Sequence, residues 1–292
     1  MRFVSVVALL PAVAVALVSC SSTTGTTPVL ACGPATVAAT NWDVVVVTED
    51  EGAYYWTVAD PIPAEVFAVS GAAAVATAGQ VTTMAVVLPQ DVTAANAVAA
   101  AVGNYYPNGC ATATANQNVV TFNLNNCTGP LGLTASSGTV TATINTGNNQ
   151  VQIQLAGNGV TANGATINLS TTGTVTVGAN GQKTLQANSQ TNGTGPNGNS
   201  AAHVGSYTLV WPTGNGCGTM NGQFSGVGTG AYSGTTTQIN NWVVCAGRCP
   251  QSGTTTSSFN GGSVTLTFNG SNTAQCTSTA GLSASVPLRC GG

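Results

Sequence analysis

A period-two alternation through residues 110–292 constrains this fold more than any other feature. Val120, Phe122 and Leu124 alternate with Thr and Asn. Val140, Ala142 and Ile144 repeat the pattern, as do Val151, Ile153 and Leu155, then Ala165, Ile167 and Leu169. Val175 with Val177, Tyr207 with Leu209 and Trp211, and Val264 with Leu266 and Phe268 continue it. Successive side chains of a strand point to opposite faces, so such a chain builds a sheet with one apolar and one polar face. Turn sequences separate the runs: Asn126-Cys127-Thr128-Gly129-Pro130, Thr146-Gly147-Asn148-Asn149, Ala162-Asn163-Gly164, Asn180-Gly181 and Gly195-Pro196-Asn197-Gly198. Asn and Gly tolerate the positive φ that tight hairpins require. The expectation is a mainly β, antiparallel domain over 110–292, arranged as a sandwich, a meander or a half-open barrel. No fixed-length repeat points to a solenoid or propeller. Nor do aromatic girdles mark a transmembrane barrel.

Residues 32–109 have a different texture. Trp42 to Val47 reads as a strand, Thr48 to Gly52 as a turn and Ala53 to Val58 as a return strand. Pro61-Ile62-Pro63 opens an Ala-rich stretch with helix-like content to Val87. Asp91 then reads as the N-cap of a helix over Val92 to Tyr106, stopped by Pro107-Asn108-Gly109.

The amino terminus is an export address. Arg2 precedes an apolar run from Val4 to Leu17, broken only by Ser5 and Pro11. A bilayer-spanning helix needs about 20 apolar residues, so this run is short for a span and fits a secretory signal. An ordinary signal could be cut after Ala12-Val13-Ala14, but that triplet lies inside the apolar run. Leu17-Val18-Ser19-Cys20 resembles the lipobox of bacterial lipoproteins. That resemblance implies cleavage before Cys20, lipid on its thiol and, with Ser21 following, the outer membrane. Residues 1–19 are then the signal and 20–31 a lipidated tether, whose Ser/Thr-rich sequence cannot pack a core. The downstream texture resembles uncharacterised lipoproteins of the myxobacterial type. Asn125 to Leu133, Cys245-Ala246-Gly247-Arg248-Cys249-Pro250 and Leu288-Arg289-Cys290-Gly291 carry this similarity, which implies no activity.

Charge excludes one class of partner. Only 4% of the residues are charged, against about 25% in ordinary globular chains. All seven acids lie between Asp43 and Asp91, and beyond Val92 the cationic side chains are Lys183, Arg248 and Arg289, with His203. A nucleic-acid binder needs many phosphate-neutralising cations, so no nucleic acid is expected as a partner.

Setting Cys20 aside for lipid leaves eight cysteines: Cys32, Cys110, Cys127, Cys217, Cys245, Cys249, Cys276 and Cys290. An even count in an exported chain reads as a disulfide framework with roughly a hundred possible pairings. Cys110 and Cys127 flank a hairpin and are the best pair. Cys245 and Cys249 either close a small loop or each pair elsewhere. They read as disulfide rather than zinc ligands, having no histidine nearby, so no metal and no cofactor is expected.

Candidate chemistry is sparse. His203 is the sole histidine, with no Gly-x-Ser-x-Gly elbow, and any acid partner must come from residues 43–91. Glu49, Asp50 and Glu51 are consecutive and read as a solvated turn rather than a glycosidase pair. Lys183 lacks the neighbouring acid that an Asn–Lys crosslink wants. Thr139, Thr141 and Thr143, then Thr172, Thr174 and Thr176, then Thr265 and Thr267 form ladders that suit ice or glycans but are also ordinary on a wet sheet face. Trp42, Trp56, Trp211 and Trp242 could stack on sugars or fill a core. The sequence therefore leads to a non-enzymatic envelope lipoprotein with a structural or surface-interaction role. The membrane, envelope proteins or glycans are its partners. Glycan or small-ligand binding is the runner-up, and a hydrolase using His203 comes third.

Overall fold

The computed structural model describes residues 32, 58–67, 87–106 and 109–288, except 129–134, 163–164, 195–199, 213–216, 229–234, 246–247 and 260–261. Among these, thirteen strands form one antiparallel sheet in which every strand pairs with its neighbours in sequence. The strands are β1 (Ala111–Asn116), β2 (Val119–Thr128), β3 (Ala135–Gly147), β4 (Gln150–Ala162), β5 (Ala165–Val177) and β6 (Lys183–Thr194). They continue as β7 (Ser200–Trp211), β8 (Cys217–Gly228), β9 (Thr235–Cys245), β10 (Ser252–Phe259), β11 (Gly262–Thr267), β12 (Thr273–Ser278) and β13 (Ser283–Pro287). The expected β domain is thus a single-sheet meander and not a sandwich.

The hairpin between β3 and β4 shows how local chemistry sets this order. Gly147 pairs with Gln150, and the two residues between them, Asn148 and Asn149, have φ of 51° and 59°. Two consecutive left-handed residues make the type I′ turn, whose twist matches that of the strands it joins. The expected turn at Asn126 is instead a bulge. β2 runs on to Thr128, and Asn126, with φ 52°, sits where the β2–β3 register shifts between Leu124 and Cys127. The Asn125 N–H donates to the Cys110 carbonyl at 2.9 Å, and a disulfide joins Cys127 to Cys110, so the chain returns to the sheet instead of leaving it. Val175 and Val177 do not form a strand of their own. They end β5, whose middle fills the apolar face with Thr171 and Gly173.

The dry face is the core. Val140, Ala142, Ile144, Val151, Leu155, Val175, Leu185 and Leu209 are fully buried, and Phe122, Trp211, Phe224 and Trp242 supply its largest side chains. Two helices whose full extent is among the described residues lie on this face: α1 (Ala64–Phe67) touches β3 and β5, and α2 (Pro89–Tyr105) lies against β1 and reaches β2 and β3. α2 turns Ala94, Ala95 and Val98 inward. It begins before the expected Val92, because Pro89 suits the first helical turn, where its missing N–H costs nothing. Leu88 is the N-cap, so Asp91 is not. Asp91 stands two residues into the helix, where its carboxylate accepts the Leu88 N–H at 2.8 Å. Of the expected return strand only Val58 is described, and it is helical. Trp42 to Thr57, and residues 68–86 of the Ala-rich stretch, lie outside the described residues. No helix among the described residues is long and apolar enough to cross a membrane.

Among the described residues, three disulfides brace the sheet. Cys110–Cys127 is the expected pair. Cys217–Cys245 joins directly opposed residues of β8 and β9, so Cys245 does not close a loop with Cys249. Cys32–Cys276 ties residue 32 to β12 across a sequence separation of 244. Cys249 is also disulfide-bonded, to a residue outside the described ones.

Candidate binding surface

The strand registers align into one row that crosses every strand. It runs Asn116, Val119, Thr143, Gln154, Thr172, Asn188, Ser206, Gln223, Gln238, Thr256, Thr265, Thr277 and Ser283. At about 4.8 Å per strand the row is about 58 Å along the sheet. All its members are exposed or half-exposed, and all but Val119 are amides or hydroxyls. The Thr ladders read from the sequence lie on this wet face, with Thr139, Thr172, Thr176 and Thr267 exposed. They bond within it: the Thr139 hydroxyl donates to Asn123 Oδ1 at 3.1 Å, and Thr256 and Thr265 share a bond of 3.0 Å. The thirteen strands contain no Asp, Glu or Arg, and their one lysine, Lys183, is buried. The wet face is therefore a broad hydrogen-bonding surface in which no described side chain is charged.

A bulge deepens one part of it. Met220 pairs with Trp242 but Gly222 pairs with Ile239, so two residues of β9, Asn240 and Asn241, face one of β8, Asn221. Asn241 takes φ 46°, and its N–H donates to Asn221 Oδ1 at 2.7 Å. The β9–β10 register also shifts here, between Ser252 and Thr254. Gly253, at φ 101°, lets β10 approach where a Cβ would collide with the Asn241 carbonyl and the Trp242 Cα. Bulges bend a strand and increase its twist. Beside this one lies a trough of about 510 Å³, lined by Gln186, Asn188, Ser206, Thr208, Asn221, Gln223, Gln238 and Asn240 among others. A second cleft of about 380 Å³ adjoins it through Asn221 and is lined by Val210, Pro212, Thr219, Val243 and Cys217.

On the dry side Lys183, Asp60, Tyr105 and Asp91 are committed to structure, while Glu65 on α1 is exposed. Lys183, 3% exposed, donates from Nζ to the carbonyls of Ala59 at 2.9 Å, Ile62 at 3.2 Å, and Asp60. It also sits 5.7 Å from the Phe67 ring centroid. Burial pushes its pKa down, and the Asp60 carboxylate opposes that. Asp60 accepts the Tyr105 hydroxyl at 2.7 Å on one oxygen and the Trp211 indole N–H at 2.9 Å on the other. Burial first, then the bond and charge of Asp60, push the Tyr105 phenol far above its usual range. The acid that Lys183 lacks in its own sequence neighbourhood thus arrives from the segment before the helices, as a clasp and without a crosslink. Asp91 likewise accepts the Thr146 N–H and hydroxyl, each at 2.7 Å, which pins α2 to the end of β3.

The structure distributes the remaining sequence candidates as follows. His203 has its backbone in β7, paired with Thr191 and Gly226, and its side chain lies outside the described residues. Cys20, Asp43, Glu49, Asp50, Glu51, Trp42, Trp56 and Cys290 also lie outside them. Trp211 and Trp242 are both 1% exposed, so they fill the core and offer no stacking platform. No group of three or more His, Cys, Asp or Glu among the described residues could hold a metal ion. Sequence reading missed the trough, whose signal was the Asn-Asn pair within Gln238-Ile239-Asn240-Asn241-Trp242, which breaks the alternation by one residue. Comparison of the chain with protein-family models, curated proteins and solved structures found no match.

Proposed function

We propose that this chain is a cell-envelope lipoprotein, held on the outer membrane by lipid on Cys20, that works as a non-enzymatic structural or surface-interaction protein. The observation that carries the reading is the uncharged polar row crossing all thirteen strands. A surface so wide and so uniform is suited to contact rather than to turnover. Two of the three acids described on the dry side support it, because both oxygens of Asp60 and of Asp91 already accept bonds from the protein. Disulfide bracing accords with export to an oxidising compartment. Lipid chains bind a membrane at roughly 0.8 kcal/mol per buried methylene, so two or more make a durable anchor. Detergent phase separation of whole cells tests the anchor. The wild-type chain is expected in the detergent phase and Cys20→Ser in the aqueous phase. A Cys20→Ser chain that stays with detergent would contradict the reading.

A further inference from the structure

The geometry points to a neutral carbohydrate polymer as the ligand of the trough between β6 and β9. This inference rests on the reading of the chain as an exported surface-interaction protein and names what it contacts. Charge sets the ligand class. With no Asp, Glu or Arg in the strands and Lys183 buried, an anionic or cationic polymer would lose its hydration at the trough without gaining a counter-charge. Neutral polyols face no such cost. Gln186, Asn188, Gln223, Gln238 and Asn240 each offer both donor and acceptor, and sugar hydroxyls require both. The rows of the sheet repeat this pattern at about 4.8 Å across strands, so successive units of a polymer meet equivalent partners.

The adjoining cleft adds the complementary half. Sugar rings have apolar C–H faces, and half-buried Val210 and Val243 with Pro212 lie beside Asn221 to receive one. The trough volume of about 510 Å³ lies within the usual range of ligand sites, about 300–1,000 Å³. A protein partner fits less well. Protein interfaces depend on buried aromatic or Arg anchors, whereas the large exposed apolar side chains among the described residues are Val204 and Leu282, neither in the trough. Tyr207, Phe224, Trp211 and Trp242 are all buried, so no described aromatic ring stacks on a sugar. Binding per unit is weak, and affinity comes from polymer length.

Native gel electrophoresis in gels that contain polysaccharide tests this. The purified lipoprotein in neutral-detergent micelles is run against a soluble β-glucan, a dextran and a galactomannan, with polygalacturonate as the anionic polymer. Retardation by at least one neutral polymer, and none by polygalacturonate, is expected. Each trough amide contributes about fivefold to binding, so Gln223→Ala with Gln238→Ala raises the half-retarding concentration about 25-fold. Asn96→Ala, on α2 and away from the wet face, changes it less than twofold. All three side chains are exposed, and an unchanged thermal midpoint shows that folding is intact. Retardation by none of the neutral polymers overturns the inference. So does equal retardation by polygalacturonate, or an equal loss in Asn96→Ala. Phase partitioning of Cys20→Ser reads the anchor separately, so either idea can fail alone.

Discussion

Replacing Lys183 with Met isolates what the buried ammonium contributes. The substitution keeps an unbranched side chain of similar length and removes the charge near the Phe67 ring. The carbonyls of Ala59, Asp60 and Ile62 lose their donor. Hydrogen bonds to charged groups contribute about 1.5–3 kcal/mol each, so the gross loss is about 4–9 kcal/mol. Against this, the ammonium no longer has to be stripped of water, which costs several kcal/mol. The net destabilisation is about 2–4 kcal/mol. At about 2–4 °C per kcal/mol for a domain of this size, the thermal midpoint falls by about 4–16 °C. The loss has a location as well as a size. Lys183 belongs to β6 and its acceptors to residues 59–62, so those residues should loosen before the sheet does. Far-UV circular dichroism gives the midpoint, and hydrogen exchange gives the location through faster exchange in peptides covering 58–67. A midpoint within about 1 °C of wild type, with 58–67 exchanging at the wild-type rate, would refute the clasp.

Other consequences follow from the same structure. The Tyr105 phenol is held well above its ordinary value of 10.0, so between its unfolded and folded values the folded chain binds the extra proton. Stability should therefore fall as pH rises above about 10, and the rise in absorbance at 295 nm on alkaline unfolding should be one tyrosine smaller in Tyr105→Phe than in the wild type. Loop-closure entropy ranks two of the disulfides: with separations of 244 and 17, removing Cys32–Cys276 should cost about 5 kcal/mol and removing Cys110–Cys127 about 3 kcal/mol, as denaturant titration of the double Ser variants would read. Gly253→Ala forces a Cβ against the Asn241 carbonyl at a left-handed φ and should destabilise by about 2–4 kcal/mol, while Gly281→Ala, which meets open space at φ 78°, should cost only about 1 kcal/mol.

The strands visible in the sequence are those whose dry-face positions are Val, Ile, Leu or Phe. β3 and β4 present Val140, Ile144, Val151 and Ile153 and are legible at once. β6 and β10 are not, because their dry-face positions include Ala187, Ser189 and Thr191, and Thr255 and Ser257. These hydroxyls are tolerated in the core because they find partners within it, as Thr237 and Ser257 do at 2.9 Å. Periodicity of hydrophobicity cannot see a core built from paired hydroxyls. The Cys110–Cys127 pair was legible because it flanks one hairpin. Cys32–Cys276 was not, because nothing local connects residues 244 apart. The clasp was hidden for the same reason: Asp60, Tyr105, Lys183 and Trp211 come from four separated stretches. The trough was hidden in a different way. Amides on a wet face look alike in sequence, and only the one-residue slip at Asn240-Asn241 gathers some of them into a concavity.

Mass spectrometry of the mature protein from the cell envelope tests the central claim most directly, because one non-reducing peptide map reads both the anchor and the cysteine count. Six cysteines pair among themselves in the structure, and Cys249 takes a partner outside the described residues. Only Cys20 and Cys290 remain. A lipidated Cys20 cannot form that disulfide. The expected result is an amino-terminal peptide beginning at Cys20 and carrying the mass of acyl chains, together with a peptide joining Cys249 to Cys290. A mature terminus elsewhere, or Cys20 found unmodified and joined to Cys249, would contradict the account.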